Sequence, residues 1–128
     1  MRPFEGIKVI DVTHVLAGPF AAYQLALLGA DVIKVEDPHE CDQSRESGSD
    51  HDLSDAKMGL GFATQASNKR AITVNLKSAK GQEIIKRLAK DADVFVENYR
   101  AGAFKKLGLG YDELSKINPR LIYCSMTA

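Results

Sequence analysis

Residues 7–37, IKVIDVTHVLAGPFAAYQLALLGADVIKVED, spell a strand, a loop, a helix and a second strand without interruption. The first run, IKVID, is apolar and rich in β-branched residues, and the second, DVIKVE, has the same character. Between them Gly18-Pro19 opens a helix, with Pro where its missing N–H costs nothing, and Gly29 closes it where a left-handed residue is favoured. Such a unit is a parallel strand pair with a crossover helix. Sheets of this kind bind ligands at the carboxyl ends of their strands, so the loop Val12-Thr13-His14-Val15-Leu16-Ala17-Gly18 is the first place to look for a site.

Downstream, residues 37–67 are polar, with Asp, Ser, Gly and His clustered in ECDQSRESGSDHDLSDAK. The pattern predicts a long loop there, with a short turn of helix, of a length that is usually functional or partly disordered. Order resumes with a third strand over residues 70–76, RAITVNL, whose alternation suits a sheet. Ser78 then offers an N-cap for AKGQEIIKRLAKDA, in which Ile84, Ile85, Leu88 and Ala89 form the apolar stripe expected to pack on that sheet. A fourth strand is read at residues 93–97, a helix running through Leu107 to Gly108, a short helix over 111–118 closed before Pro119, and a fifth strand at 121–125. That order describes an open α/β sheet, mainly parallel, with helices on its faces.

The 128 residues fit one domain with a real core, and 17 basic residues balance 17 acidic ones. No net field therefore favours nucleic acid or a membrane surface, although a local basic cluster can still hold a phosphate. Cys41 and Cys124 are far apart and form no metal-ligand spacing. They suit a reducing compartment better than a disulfide framework. No signal-like apolar stretch opens the chain and no run approaches a membrane span, so a cytoplasmic protein is expected.

Chemistry narrows the reading further. A dinucleotide fingerprint needs GxGxxG after the first strand, and only Gly18 stands there; no GxxxxGK[ST] phosphate loop occurs either. Glu36 closes the second strand where a ribose hydroxyl is often held, but a carboxylate at a strand end explains it as well. His14 stands at a ligand-facing position, and a capping or packing histidine fits equally. His39, Cys41 and His51 lack the close spacing of metal ligands, so no metal is expected. Asn98-Tyr99-Arg100 follows the fourth strand and should reach the same sheet edge as residues 12–18. Arg100, Lys105 and Lys106 near a helix start suit a phosphorylated ligand, and Asn68-Lys69-Arg70 with Lys77 bracket the third strand. Solvated surface lysines remain the plainer reading of Lys105 and Lys69.

At these residues the chain resembles the class III CoA-transferase family, which includes formyl-CoA transferase, carnitine CoA-transferase and the α-methylacyl-CoA racemases. The resemblance runs through Gly6-Ile7-Lys8-Val9-Ile10-Asp11, His14-Val15-Leu16-Ala17-Gly18-Pro19 and Leu28-Gly29-Ala30-Asp31-Val32-Ile33-Lys34-Val35-Glu36. It continues through Asp42-x-x-Arg45, Asn68-Lys69-Arg70, Ala92-Asp93-Val94, Glu97-Asn98-Tyr99 and Asn118-Pro119-Arg120-Leu121-Ile122-Tyr123. These blocks keep the family's order across nearly the whole chain.

The resemblance implies a Rossmann-like domain over residues 1–128 that holds coenzyme A or acyl-CoA as substrate, in a family of interlocked dimers. By the same resemblance, CoA contacts fall on the turn Leu16-Ala17, the strand end Val74-Asn75-Leu76-Lys77, the loop Asn98-Tyr99-Arg100, and Lys106. Ala101 and Asn75 are mild departures, and Asp37 stands where formyl-CoA transferase has an arginine near the adenine. The family's transferases use an aspartate nucleophile that takes the acyl group as a mixed anhydride. That aspartate lies beyond the position of Ala128, as do the catalytic His and Asp of the racemases. No catalytic residue is assigned here, since Asp31, Asp42, Asp50, Asp52 and Asp55 do not match the nucleophile's motif. The expectation is the N-terminal, CoA-binding part of an enzyme that moves CoA between carboxylic acids, itself inactive. Its partners would be a CoA thioester, a carboxylic acid and a second copy of the full-length protein. The alternatives are an α-methylacyl-CoA racemase of the same family, or a non-catalytic CoA-binding or dimerisation module.

Overall fold

The computed structural model describes residues 1–127 of the chain. In chain order the elements begin with β1 (Lys8–Val12), α1 (Ala17–Leu27) and β2 (Asp31–Glu36). A single 3-10 turn (Gln43–Glu46), α2 (His51–Asp55) and α3 (Leu60–Ala66) lead to β3 (Arg70–Thr73) and α4 (Ala79–Lys90). β4 (Val94–Glu97), α5 (Ala103–Lys106), α6 (Tyr111–Ile117) and β5 (Ile122–Ser125) complete the order. The strands form one sheet, β3-β2-β1-β4-β5, with every pairing parallel. The open α/β sheet expected from the strand pattern is therefore present, and its parallel character is complete.

Alternation along the strands divides the apolar residues between two cores. Ile10, Val12, Val35 and Phe95 point to the face covered by Ile85 and Ala89 of α4, Phe104 of α5 and Leu114 of α6. Val9, Val32 and Val96 point to the other, where Ala22 and Ala26 of α1 cover them. The small residues on α1 let that helix lie close to the sheet. Phe95 is fully buried, worth about 1.5–3 kcal/mol relative to leaving it in water. Gly29, at φ +110°, turns the chain from α1 into β2 as its position suggested.

Three expectations need correction. Residues 37–67 are not a long loop with one turn, because the 3-10 turn, α2 and α3 occupy much of the stretch. Asp42 accepts the Ser44 N–H and Asp50 accepts the Leu53 N–H, each at 3.0 Å, so aspartates in a seemingly loop-like composition act as caps. The guanidinium of Arg45 lies 3.7 Å above the Phe62 ring and donates to the Lys57 carbonyl at 3.1 Å, gathering the segment around itself. The third strand stops at Thr73 instead of running to 76, since the Asn75 side chain accepts the Lys77 N–H at 2.9 Å and bends the chain toward α4. Ile84, placed in the buried stripe of α4, is 42% exposed; Gly81, Ile85 and Ala89 are buried, and Leu88 packs against the core partly buried.

Ser78 caps α4 as expected, accepting the Gly81 N–H at 3.0 Å. Gly81 marks the closest approach of α4 to the preceding turn, since a Cβ there would stand 1.9 Å from the Asn75 carbonyl oxygen. Alanine in a helix is ordinarily favoured over glycine by about 1 kcal/mol. Gly81→Ala is expected to reverse that sign and destabilise the chain by about 1–3 kcal/mol, as overpacking does. Urea denaturation followed by circular dichroism checks this, and a raised midpoint would contradict the packing described.

Candidate functional site

The strand order places the reversal of winding at β1, because the chain leaves it toward β2 on one side and later adds β4 on the other. The loops after β1 and β4 therefore open a crevice at their carboxyl ends. Asn98 ties the two loops together across it. Its Oδ1 accepts the His14 N–H at 3.0 Å and its Nδ2 donates to the His14 carbonyl at 2.8 Å. The Tyr99 ring meets the His14 ring edge to face at 4.6 Å and packs on Phe104 at 5.0 Å. The Tyr99 N–H is held by a Glu97 carboxylate oxygen at 2.9 Å. Burial, then the negative charges of Asp37, Glu40, Asp42 and Glu97, push the Tyr99 phenol above its usual range, so it stays a proton donor. The crevice encloses about 610 Å³, and His14, Cys41, Lys77, Asn98, Tyr99 and Arg100 are among the residues around it.

Thr13, Glu36 and Asp42, which line the crevice, belong to a connected set of buried polar and charged groups. Lys34, its side chain 1% exposed, donates to the Thr13 carbonyl at 2.8 Å and to Asp42 Oδ2 at 2.9 Å. Asp42 Oδ1 accepts the N–H of Val15 at 3.0 Å and the Ser44 hydroxyl at 2.7 Å. The Asp42 N–H passes to Glu36 Oε2 at 3.1 Å, and Arg45 grips Glu36 through Nε at 2.8 Å and Nη2 at 2.7 Å. On the α1 side, Lys69 donates to Asp11 Oδ2 at 2.8 Å and to the Pro19 carbonyl at 2.7 Å. Asp11 Oδ1 in turn accepts the Thr13 N–H at 3.0 Å, and it also accepts the Thr13 hydroxyl. Among the described residues no buried side-chain nitrogen or oxygen lacks a partner.

The expected contact residues separate into three groups. Lys77, Asn98, Tyr99 and Arg100 meet around the crevice with His14. Val74 and Leu76 are buried in the core, so only their main-chain groups are available to a ligand, and the Asn75 side chain is engaged with Lys77. Leu16, 66% exposed, and Ala17 stand at the start of α1, which has no side-chain cap; Lys106 is exposed in the last turn of α5. These six do not line the crevice itself. Lys69, whose plainer reading was a solvated surface lysine, is instead buried against Asp11, and burial pushes its ammonium below the ordinary lysine range. Lys34 and Gln65 were missed as well. The available signal for Lys34 was a lysine inside the apolar run DVIKVE, while nothing local distinguishes Gln65. Among the described residues no group of three His, Cys, Asp or Glu is placed to hold a metal.

Burial raises the carboxyls of Asp42 and Glu36. The hydrogen bonds from Lys34 and Ser44 on the first, and from Arg45 and the Asp42 N–H on the second, outweigh it and hold both below their ordinary 3.8 and 4.5. A carboxylate depressed in this way contributes stability that is complete above its unfolded-state value and is lost as pH falls through the lower folded value. The denaturation midpoint is therefore expected to hold down to about pH 5 and to decline below it. Lys34→Met, which leaves Asp42 buried without its cation, should cost about 3–5 kcal/mol at neutral pH. Urea titrations between pH 3 and 7 check both expectations, and a variant as stable as the wild type would show that the pair holds nothing.

A family profile described as CoA-transferase family III matches residues 4–128. The succinyl-CoA:glutarate CoA-transferase of Mus musculus is 46% identical over 127 residues, covering 99% of this chain and 28% of that protein. The formyl-CoA:oxalate CoA-transferase of Streptomyces coelicolor is 46% identical over 125 residues, covering 98% of this chain and 30% of its own length. The chain thus spans less than a third of these curated relatives. Among solved structures, a hypothetical protein from Mycobacterium tuberculosis matches with a TM-score of 0.89 at 38% identity, over 100% of this chain and 34% of that one. A CAIB/BAIF family protein from Brucella suis matches with a TM-score of 0.85 at 39% identity, over 97% and 33%. With the profile matched across nearly every residue and the same fold in these relatives, the chain belongs to CoA-transferase family III.

Proposed function

We propose that this chain is the coenzyme A-holding domain of an enzyme that moves CoA from a CoA thioester to a carboxylic acid. The observation that carries the reading is the crevice at the winding reversal, bridged by Asn98 and flanked by the cations Lys77 and Arg100. A nucleotide with a pyrophosphate and a 3′-phosphate requires main-chain groups in tight turns together with a few positive side chains. Leu16, Ala17 and the main chain of residues 74–76 supply the former in this reading, and Lys77, Arg100 and Lys106 the latter. Relatives named for CoA transfer favour that reaction over racemisation.

The chemistry is acyl transfer to a carboxylate. An aspartate attacks the acyl carbon of the thioester, the C–S bond breaks, CoA leaves as its thiolate, and a mixed anhydride remains for the next attack. Asp37, Asp42 and Asp50 each have a local hydrogen-bond partner. Asp42 is buried under Lys34, Ser44 and Val15, and Asp37 accepts the His39 N–H at 2.8 Å. Asp50 caps α2. By the family resemblance the nucleophile belongs to another part of the enzyme, which is a homodimer in this reading.

Calorimetric titration of CoA into the 128-residue chain is expected to show binding that weakens as salt is raised. Lys77→Ala and Arg100→Ala should each lower affinity about three- to tenfold and flatten the salt dependence, because each removes an exposed phosphate partner. Lys106→Ala measures whether the end of α5 joins them. Mixed with succinyl-CoA and glutarate, the chain should transfer no acyl group. Absence of CoA binding overturns the reading of the crevice, and turnover by the chain overturns the placing of the nucleophile elsewhere.

A further inference from the structure

Val15 has φ +72°, a left-handed backbone at a β-branched residue. Such a conformation is costly and persists only where surrounding structure over-determines it. Among the described residues the other non-glycine positions with positive φ are Lys57 and Asn68, both exposed just past short helices, and asparagine tolerates this region well. Val15 differs because both faces of its peptide environment are held by buried side chains from far along the chain. Its N–H donates to Asp42 Oδ1 at 3.0 Å across 27 positions, and its carbonyl accepts Gln65 Nε2 across 50. Asp42 and Gln65 are each only 4% exposed. Asp42 is itself fastened by Lys34 and Ser44, and Gln65 lies on α3.

The residues on either side of Val15 belong to the proposed site. His14 lines the crevice and is held by Asn98, while Leu16 and Ala17 begin α1 with its first N–H groups uncapped by a side chain. We infer that Asp42 and Gln65 are positioning residues that hold Val15 left-handed, so that the turn from His14 to Ala17 meets the CoA thioester in one fixed shape. The inference rests on the coenzyme A reading of the crevice. Neither residue touches the ligand; each acts through the Val15 peptide. If the clamp is weakened, the turn samples extended conformers and the apparent affinity falls in proportion to the competent fraction.

The test uses Gln65→Met, which keeps the volume and removes the donor, Val15→Gly, and the double variant, all in the 128-residue chain. Gln65→Met is expected to lower CoA affinity about tenfold if the competent conformer falls to about a tenth of the population. Cross-correlated relaxation between the N–H and Cα–Hα bonds of Val15 should show its positive φ diminished. Glycine takes up positive φ without strain, so the double variant should recover most of the affinity that Gln65→Met loses. An affinity and a Val15 φ both unchanged in Gln65→Met would overturn the inference, as would a double variant as weak as Gln65→Met alone. Where Gln65→Met does not fold, Val15→Gly decides: relief of strain raises its urea midpoint, and a lowered midpoint overturns the inference. Failure of the wild-type chain to bind CoA would instead sink the ligand reading, leaving the relaxation and denaturation measurements to judge the clamp.

Discussion

The ammonium of Lys34 lies near the carboxyl end of a parallel strand, within hydrogen-bond reach of the Thr13 carbonyl and the Asp42 carboxylate and sealed from water. Taking an ammonium and a carboxylate out of water costs several kcal/mol each, and their attraction offsets this only when the remaining protons and lone pairs also find partners. Here the partners come from three separate stretches of chain. Asp42 engages Ser44 and Val15, and its own N–H leads to Glu36 and thence to Arg45. The loop after β1, the end of β2 and the connection to β3 are consequently held as one body. Removing Lys34 or Asp42 leaves the other's charge unpaired in the interior, so the crevice beside this network keeps a definite shape.

On that base the crevice is set by the strand order. A winding reversal at β1 forces the loops after β1 and β4 apart, and Asn98 spans the gap with a donor and an acceptor on one side chain. A carboxylate at position 98 has no donor for the His14 carbonyl, and an aliphatic residue has neither group. The edge-to-face contact of Tyr99 with His14 then fixes both rings, and Phe104 fixes Tyr99 in turn. Rigid walls of this kind reduce the ordering that a long, flexible nucleotide ligand imposes when it binds. The reading of the crevice as a coenzyme A site thus draws on geometry as well as on the chain's membership of CoA-transferase family III.

Local patterns carried some of this well. The Gly18-Pro19 and Gly29 punctuation, the Ser78 cap and the apolar character of β1, β2 and β4 were all legible, because each depends on residues within a turn or two. Residues 37–67 were misread for the opposite reason. Their helices are short, their caps are aspartates that also suit loops, and the segment is organised by Arg45 stacking on Phe62. Lys69 looked like a surface lysine because its distant partners, Asp11 and the Pro19 carbonyl, leave no mark beside it. Gln65, whose contact with Val15 crosses 50 positions, left no local signal at all.

Taken alone, the sequence determined the class of fold, the two loops that meet at one edge of the sheet, and the resemblance that links the chain to its family. Those properties rest on periodicity, turn chemistry and motif order, which short windows of residues already contain. Only the tertiary structure decided which charges are buried, which loops are joined, and why a valine is held with positive φ beside the crevice. The physical reason is that a buried ion pair or a strained peptide is defined by its partners. Here those partners are brought together by strand order, not by neighbourhood along the chain.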